Sequence, residues 1–233
     1  MDELLGKVTE YFESEVFLKH KRRSLRESTR LSSYKINPIL VRYLSKTLED
    51  EFSPQGVAKA LYYPRVLGTS INTSFGNSIQ KMFVELGLAE GSSIEGMDIE
   101  FIDKIDNNKK FCQLKSGPNT INSGDVKPIF DKFEKLLKRA RGNHVQISNN
   151  DLVVGVLYGN FEDLSQHYLR IDARHPVYIG KGFWQRITGF EDFYDSLVIE
   201  LDKVITKMPT DKFLEEGCKK LEAEIAKSGI LDK

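Results

Sequence analysis

The chain has 233 residues, a formal net charge of zero and 40% hydrophobic residues. This length allows one domain with a well-buried core or a core with a helical extension, and the supply of apolar residues argues against a disordered chain. The balanced charge removes any argument for nucleic-acid binding from a high isoelectric point, but a local basic surface remains compatible with such binding.

The two cysteines, Cys112 and Cys218, lie far apart and form no CxxC or Cys/His pair. This spacing argues against a disulfide framework and against a structural zinc site, and it favours reduced thiols. No run of 18 apolar residues occurs, and the first residues lack the basic and apolar regions of a signal peptide. We therefore expect a cytoplasmic protein without a membrane segment.

Apolar residues at helical spacing predict that the first 90 residues are mostly helical. Asn37-Pro38 and Ser53-Pro54 are typical of helix starts. The segment 68–76, rich in Gly, Thr, Ser and Asn, is predicted to be a loop. The predicted helices are 3–31, 38–49, one that begins at Ser53-Pro54, and about 75–87.

The pattern then changes to an alternation of apolar and polar residues over 97–103 and 111–115. Turn-forming residues at 106–108 separate the two segments, so the sequence predicts an antiparallel β-hairpin. Beyond it, periodicity predicts further elements: an amphipathic helix 125–141, a buried strand 151–159, a short strand 175–180, and helices 191–207 and 211–227.

This order of elements predicts an α/β (α+β) core with a mixed central sheet flanked by helices. We expect a helical N-terminal region over 1–77 that serves DNA binding or dimerisation. The core is expected over 78–205 and a C-terminal helix over 206–233.

Alternation along the hairpin places four polar side chains, Asp98, Glu100, Gln113 and Lys115, on one face of the two strands. If the chain reverses near Asn107, Asp98 lies roughly opposite Lys115. A carboxylate can hold Mg²⁺, which activates water near neutral pH, and a lysine can stabilise developing negative charge. The cluster suits phosphodiester hydrolysis, but the same alternation is also typical of a solvated sheet face with cross-strand pairs.

Asp98 followed by Gln113-Leu114-Lys115 resembles the PD-(D/E)XK nuclease signature, with Gln in place of the second acid. The continuation 115–122, Lys-Ser-Gly-Pro-Asn-Thr-Ile-Asn, is similar to a stretch found in several type II restriction endonucleases. The resemblance extends over about residues 36–190 and is nearest to enzymes that cut interrupted sites of the GG-N-CC kind. Other segments that carry it are 36–38, 73–76, 153–160 and 177–184.

This resemblance implies a PD-(D/E)XK restriction-endonuclease-like fold and a homodimer that cleaves double-stranded DNA at specific sites with Mg²⁺. It also implies a methyltransferase that protects host DNA. Asp98 would bind the metal with Gln113 and the backbone carbonyl of Leu114, and Lys115 would be the catalytic lysine. Because Gln113 is neutral, Glu100 and Glu85 are candidate supporting acids.

Candidate DNA contacts fall into three groups, whose roles in phosphate or base recognition follow from their residue types. The basic end of helix 125–141 is equally typical of a solvated helix face with intrahelical pairs such as Asp131-Lys135 and Glu134-Lys138. The basic cluster near residue 21 favours DNA over a polar helix face, because few acids are interleaved. The loop after Lys115 is close enough to reach DNA. The candidates are Lys138, Arg139 and Arg141; Lys21, Arg22 and Arg23; and Asn119, Thr120, Asn122 and Ser123.

Two other functions remain open at this point. A catalytically weakened or inactive DNA-binding protein would keep the nuclease-like fold while Gln113 reduces cleavage. A helical interaction protein would show no salt-dependent affinity for DNA, so a salt titration separates it from both others.

Overall fold

The structure, a computed structural model, describes residues 1–208 and 212–232. The chain divides into two compact units. The first comprises Met1–Tyr11 and Gly76–Thr206, and the second comprises Phe12–Phe75 and Lys207–Lys233. The predicted division differs, because it assigned residues 1–11 to the N-terminal region and treated 206–233 as a separate element.

The predicted mixed sheet is confirmed and forms the centre of the first unit, with five strands in the order β1-β2-β3-β4-β5, of which β1 was not predicted. β1, β2 and β3 pair antiparallel, whereas β3, β4 and β5 pair parallel. The strands are β1 (Glu90–Gly91), β2 (Ile99–Ile102), β3 (Lys109–Lys115), β4 (Leu152–Val156) and β5 (Val177–Ile179).

Helices flank the sheet and connect its strands. The predicted helix 125–141 is confirmed as α6, with slightly wider bounds. A short helix between β4 and β5, labelled α7, was not predicted, although two adjacent parallel strands require a crossover connection. The helices of the first unit are α1 (Asp2–Tyr11), α5 (Ile71–Glu85, its first turn in the second unit), α6 (Ser123–Gly142), α7 (Gln166–Asp172), α8 (Gly180–Thr188) and α9 (Phe193–Lys207).

Both faces of the sheet are buried. One face contributes Phe111 and Val154 to an apolar cluster with Phe133 of α6 and Tyr168 of α7. On the other face, Gly155 leaves room for the ring of Phe183, which would come within 2.5 Å of an added Cβ. The strand β4 is buried along its whole length, as its apolar sequence predicted.

The second unit is helical. Its helices are α2 (Lys19–Glu27), α3 (Pro38–Glu49), α4 (Pro54–Pro64) and α10 (Phe213–Ser228). The predicted helix starts are confirmed, since the side chains of Asn37 and Ser53 cap α3 and α4 and a proline follows each. Buried apolar residues of α3, α4, α10 and the segment 65–70 form one cluster: Val41, Val57, Ala58, Tyr62, Val66, Cys218, Leu221 and Ile225.

Two predictions for the N-terminal half were wrong. The segment 68–76 is helical, because a π-helix over Arg65–Ser70 leads directly into α5, whose buried Ile79 and Phe83 stabilise it despite weak helix formers upstream. The predicted helix 3–31 is interrupted by a π-helix over Phe12–Leu18, which sequence periodicity does not distinguish from α-helix. None of the helices in the described residues is long and apolar enough to cross a membrane.

Candidate active site

Asp98 lies immediately before β2 and is held by three hydrogen bonds. Its backbone N–H donates to the carbonyl of Cys112 over 2.9 Å. Its carboxylate Oδ2 accepts from the backbone N–H of Leu114 over 2.7 Å. The side-chain amide of Gln80 in α5 donates to the Asp98 carbonyl over 2.8 Å. Backbone and side chain are therefore both fixed relative to β3.

The register of the hairpin corrects one sequence prediction. Ile99 pairs with Cys112, and Asp98 bonds the backbone groups of Cys112 and Leu114, so the hairpin does not place Asp98 opposite Lys115. Ile102 pairs with Lys109, which centres the reversal between residues 105 and 106 and not at Asn107. Asp103 closes the turn, and its carboxylate accepts from the N–H of Ile105 and the guanidinium of Arg186. The pairing with Arg186 is a long-range contact that the local sequence does not reveal.

Gln113 is 3% exposed, and its Nε2 has no hydrogen-bond partner among the described residues. Gln113 lies between Cys112 and Leu114, the two β3 residues whose backbone groups bond Asp98. A buried amide without a partner is uncommon in folded proteins. It suits a site whose remaining hydrogen-bonding groups come from a bound molecule.

Asp98, Lys115, Ser116 and Thr120 line one open pocket of about 310 Å³, together with residues of α5 that include Gln80. Lys115 forms no ion pair with any residue that the structure describes. The same pocket is therefore lined by the carboxylate of Asp98, whose orientation is fixed, and by the ammonium group of Lys115, which is available to a bound molecule.

The two candidate supporting acids lie outside the pocket that contains Asp98. Glu100 is buried and accepts hydrogen bonds from Ser92 and Lys109, each over 2.7 Å. Glu85 is exposed near the end of α5 and lines an adjoining groove, which shares Asn77 and Gln80 with that pocket. Neither lines the pocket that contains Asp98.

Neutral oxygens make up the other metal donors of the pocket. In the described residues, no group of three or more His, Cys, Asp or Glu side chains could hold a metal ion. Asp98 is the one carboxylate among the pocket's described lining residues, and the amide of Gln80 and the hydroxyls of Ser116 and Thr120 accompany it. Mg²⁺ commonly binds through one or two carboxylates plus waters and substrate phosphates. This donor set fits such an ion when DNA supplies further oxygens.

The loop after Lys115 is anchored at both ends. The Thr120 hydroxyl contacts Tyr168 of α7, and Asn122 caps α6 by accepting from the N–H of Gly124 over 2.7 Å. Asp125 completes the capping box by accepting from the N–H of Asn122. Of the loop residues predicted to contact DNA, Asn119 and Ser123 are exposed, and Asn122 is engaged as a cap.

The predicted basic contacts are on the surfaces of two helices. In α6, Lys138 pairs with Glu134 over 2.8 Å, and Arg139 and Arg141 are exposed. In α2, Arg23 pairs with Glu27 over 2.7 Å, Arg22 is exposed and Lys21 is half-buried. Of the two intrahelical pairs expected in the predicted helix 125–141, Glu134-Lys138 is present, whereas Asp131 pairs with Lys127 and Lys135 with Glu95.

A sequence model of one family, described as type II restriction endonuclease EcoO109I, matches residues 7–208. The chain belongs to this family. This confirms the type II restriction endonuclease predicted from the Lys115–Asn122 stretch. A search of curated proteins found no match to the chain. The match extends from α1 to the end of α9 and includes the whole pocket around Asp98.

Membership of this family makes the enzyme a site-specific deoxyribonuclease that binds double-stranded DNA. As a hydrolase of a restriction–modification system, the endonuclease cleaves DNA at a specific sequence. The predicted nuclease activity and the predicted restriction-endonuclease-like α+β fold are both confirmed.

The sequence analysis assigned no role to two residues in or beside the pocket of this endonuclease. Gln80 falls within the predicted helix 75–87, but helical spacing alone does not show which face of a helix borders a site. Tyr168 was missed together with α7.

Proposed function

We propose that the endonuclease hydrolyses the phosphodiesters of a short palindromic DNA site with Mg²⁺, using Asp98 and Lys115 in the pocket described above. The observation that supports this most directly is the shared pocket: a carboxylate fixed by the N–H of Leu114 lines the same cleft as Lys115, which has no ion pair within the described part of the chain.

Asp98, assisted by Gln113 and the backbone carbonyl of Leu114, would hold the metal ion. Bound there, the ion would polarise the scissile phosphate and lower the pKa of a water molecule. Lys115 donates hydrogen bonds to the attacking water or to the negative charge that develops on the phosphate. The water oxygen forms a bond to phosphorus as one ester P–O bond breaks.

Gln113 distinguishes this site from one with two acids. Its amide oxygen is neutral, so the pocket offers the ion one negative charge less. This neutral, buried amide favours a second candidate, an endonuclease that binds DNA but cleaves it slowly. The cleavage rate with saturating Mg²⁺ separates the two.

We further propose that the enzyme acts as a homodimer, because cutting both strands of a symmetric site requires two active sites. The exposed face of α3 supports this proposal. Ile39, Leu40 and Tyr43 are 77%, 55% and 67% exposed, and Leu44 and Leu48 continue the stripe. Contiguous exposed apolar surface of this kind is typical of protein interfaces.

The family relationship also supports an interrupted recognition site of the GG-N-CC kind and a methyltransferase that protects host DNA in the same system. The methyltransferase is a functional partner and need not bind the endonuclease. Cys112 and Cys218 are free, buried thiols, consistent with the cytoplasmic location that we propose.

Replacement of Lys115 tests the proposed chemistry. We expect Lys115→Ala to lower the single-turnover cleavage rate by roughly a hundredfold or more, the cost of removing one group that stabilises transition-state charge. Lys127→Ala, which removes an exposed lysine of α6 from an ion pair with Asp131, is the matched control and should cleave at the wild-type rate. Normal cleavage by the Lys115→Ala enzyme would contradict the assignment.

A further inference from the structure

A cluster of two hydroxyls and one buried carbonyl stabilises the turn that follows Lys115. The hydroxyl of Thr120 donates to the carbonyl of Gly117 over 2.9 Å. The hydroxyl of Tyr168 donates to the same carbonyl over 3.1 Å. The two hydroxyl oxygens lie 2.9 Å apart. Each hydroxyl carries one proton, so the cluster has three contacts and two protons to share among them.

Tyr168 is the inner member of this cluster. It belongs to α7 and has no exposed surface. Burial raises the pKa of its hydroxyl to about 12, so at neutral pH the group keeps its proton. Leaving a buried carbonyl without a hydrogen-bond donor costs free energy. One of the two hydroxyls must therefore donate to the carbonyl of Gly117. Tyr168 can do so whether or not the pocket is filled.

Thr120 is the outer member. It is exposed and lines the pocket that also contains Asp98 and Lys115. When the Tyr168 hydroxyl donates to the carbonyl of Gly117, the Thr120 hydroxyl is free to donate its proton to an acceptor in the pocket. Phosphate oxygens of DNA commonly accept hydrogen bonds from short hydroxyl side chains.

We propose that Thr120 binds the DNA phosphate in the active site, and that Tyr168 is a positioning residue that releases the Thr120 proton for this contact. The inference rests on the proposed function, which brings a phosphate into this pocket. Without the Tyr168 hydroxyl, the carbonyl of Gly117 retains the Thr120 proton, and the phosphate loses a donor.

A double-mutant cycle tests the proposal, with the single-turnover cleavage rate at saturating DNA as the readout. Thr120→Val should lower this rate roughly tenfold or more, as expected for a lost hydrogen bond to a charged group. Thr120→Ser should retain nearly wild-type cleavage. Tyr168→Phe should lower the rate several-fold, but should have no further effect in the Thr120→Val enzyme, where there is no proton to release.

A second buried tyrosine provides the control. Tyr62 is also fully buried, and its hydroxyl has no partner among the described residues, so Tyr62→Phe should leave cleavage unchanged. The proposal is wrong if Tyr168→Phe lowers the rate by the same factor in both backgrounds, which would indicate a structural role alone. It is also wrong if Thr120→Val cleaves normally. A wild-type enzyme that does not cut would instead overturn the proposed function.

Discussion

Asp98 combines a structural and a chemical task in one side chain. Its Oδ2 accepts a hydrogen bond from the N–H of Leu114, which orients the carboxylate just before the start of β2. A carboxylate oriented by a backbone N–H loses little conformational freedom when it binds a cation, because its rotamer is already selected. The neighbouring Gln113 is buried beside it and brings no charge.

Gln113→Glu should therefore change metal binding. A second carboxylate beside Asp98 supplies negative charge that the wild-type pocket obtains only from DNA. We expect the variant to bind Mn²⁺ roughly tenfold more tightly than wild type without DNA, because affinity for hard cations increases with ligand charge. Calorimetry or electron paramagnetic resonance of the free protein measures this.

Gln113→Met is the neutral control for this experiment and should bind Mn²⁺ no better than wild type. Thermal unfolding checks that both variants fold. A folded Gln113→Glu protein with wild-type affinity for Mn²⁺ would show that Gln113 does not lie at the metal site.

At the scale of elements, the beginning of α6 shows how the chain positions the loop after Lys115. Asn122 and Asp125 form a capping box, and this fixes where the helix begins and where residues 116–121 end. The loop is thus tied to β3 at one end and to a capped helix at the other.

We expect Asn122→Ala to lower the free energy of unfolding by about 1 kcal/mol, the usual effect of removing an N-cap side chain. Denaturant unfolding measures this change. Asn122→Ser keeps a capping oxygen and should restore most of the stability. If Asn122→Ser is stable yet binds DNA weakly, the side chain contacts DNA in addition to capping α6.

How far the sequence could predict these elements depends on the range of the contacts that determine them. The hairpin, α3 and α6 follow from local alternation, helical spacing and caps, and all three were predicted. The register was not, because the ion pair between Asp103 and Arg186 joins residues far apart in the chain. The continuous helix through residue 76 was missed because Thr, Ser and Asn favour loops locally, while the burial of Ile79 and Phe83 favours helix.

The candidate site was predictable to the same extent. Asp98 and Lys115 were found because they belong to a motif on adjacent strands. Gln80 and Tyr168 come from other elements, and no local pattern places them beside that motif. The burial of Gln113 also depends on packing on both sides of the sheet, which alternation in one strand does not specify.

At the scale of the whole molecule, the exposed stripe of α3 is the feature that bears on assembly. Charge at its centre should weaken self-association, because an unpaired carboxylate would be buried between two copies. We expect Tyr43→Glu to shift the protein from dimer to monomer in sedimentation velocity at micromolar concentration. Lys127→Glu, the control, introduces a carboxylate at an exposed lysine of α6 and should remain dimeric. A Tyr43→Glu protein that stays dimeric would place the interface elsewhere.

Digestion of unmethylated DNA by the wild-type protein, with Mg²⁺ and with EDTA, tests the central claim most directly. If Asp98 and Lys115 act with a metal ion, Mg²⁺ should give discrete fragments whose ends share one short symmetric sequence, and EDTA should abolish them. Equal cleavage with EDTA, or intact DNA with both Mg²⁺ and Mn²⁺, would contradict metal-dependent hydrolysis in this pocket.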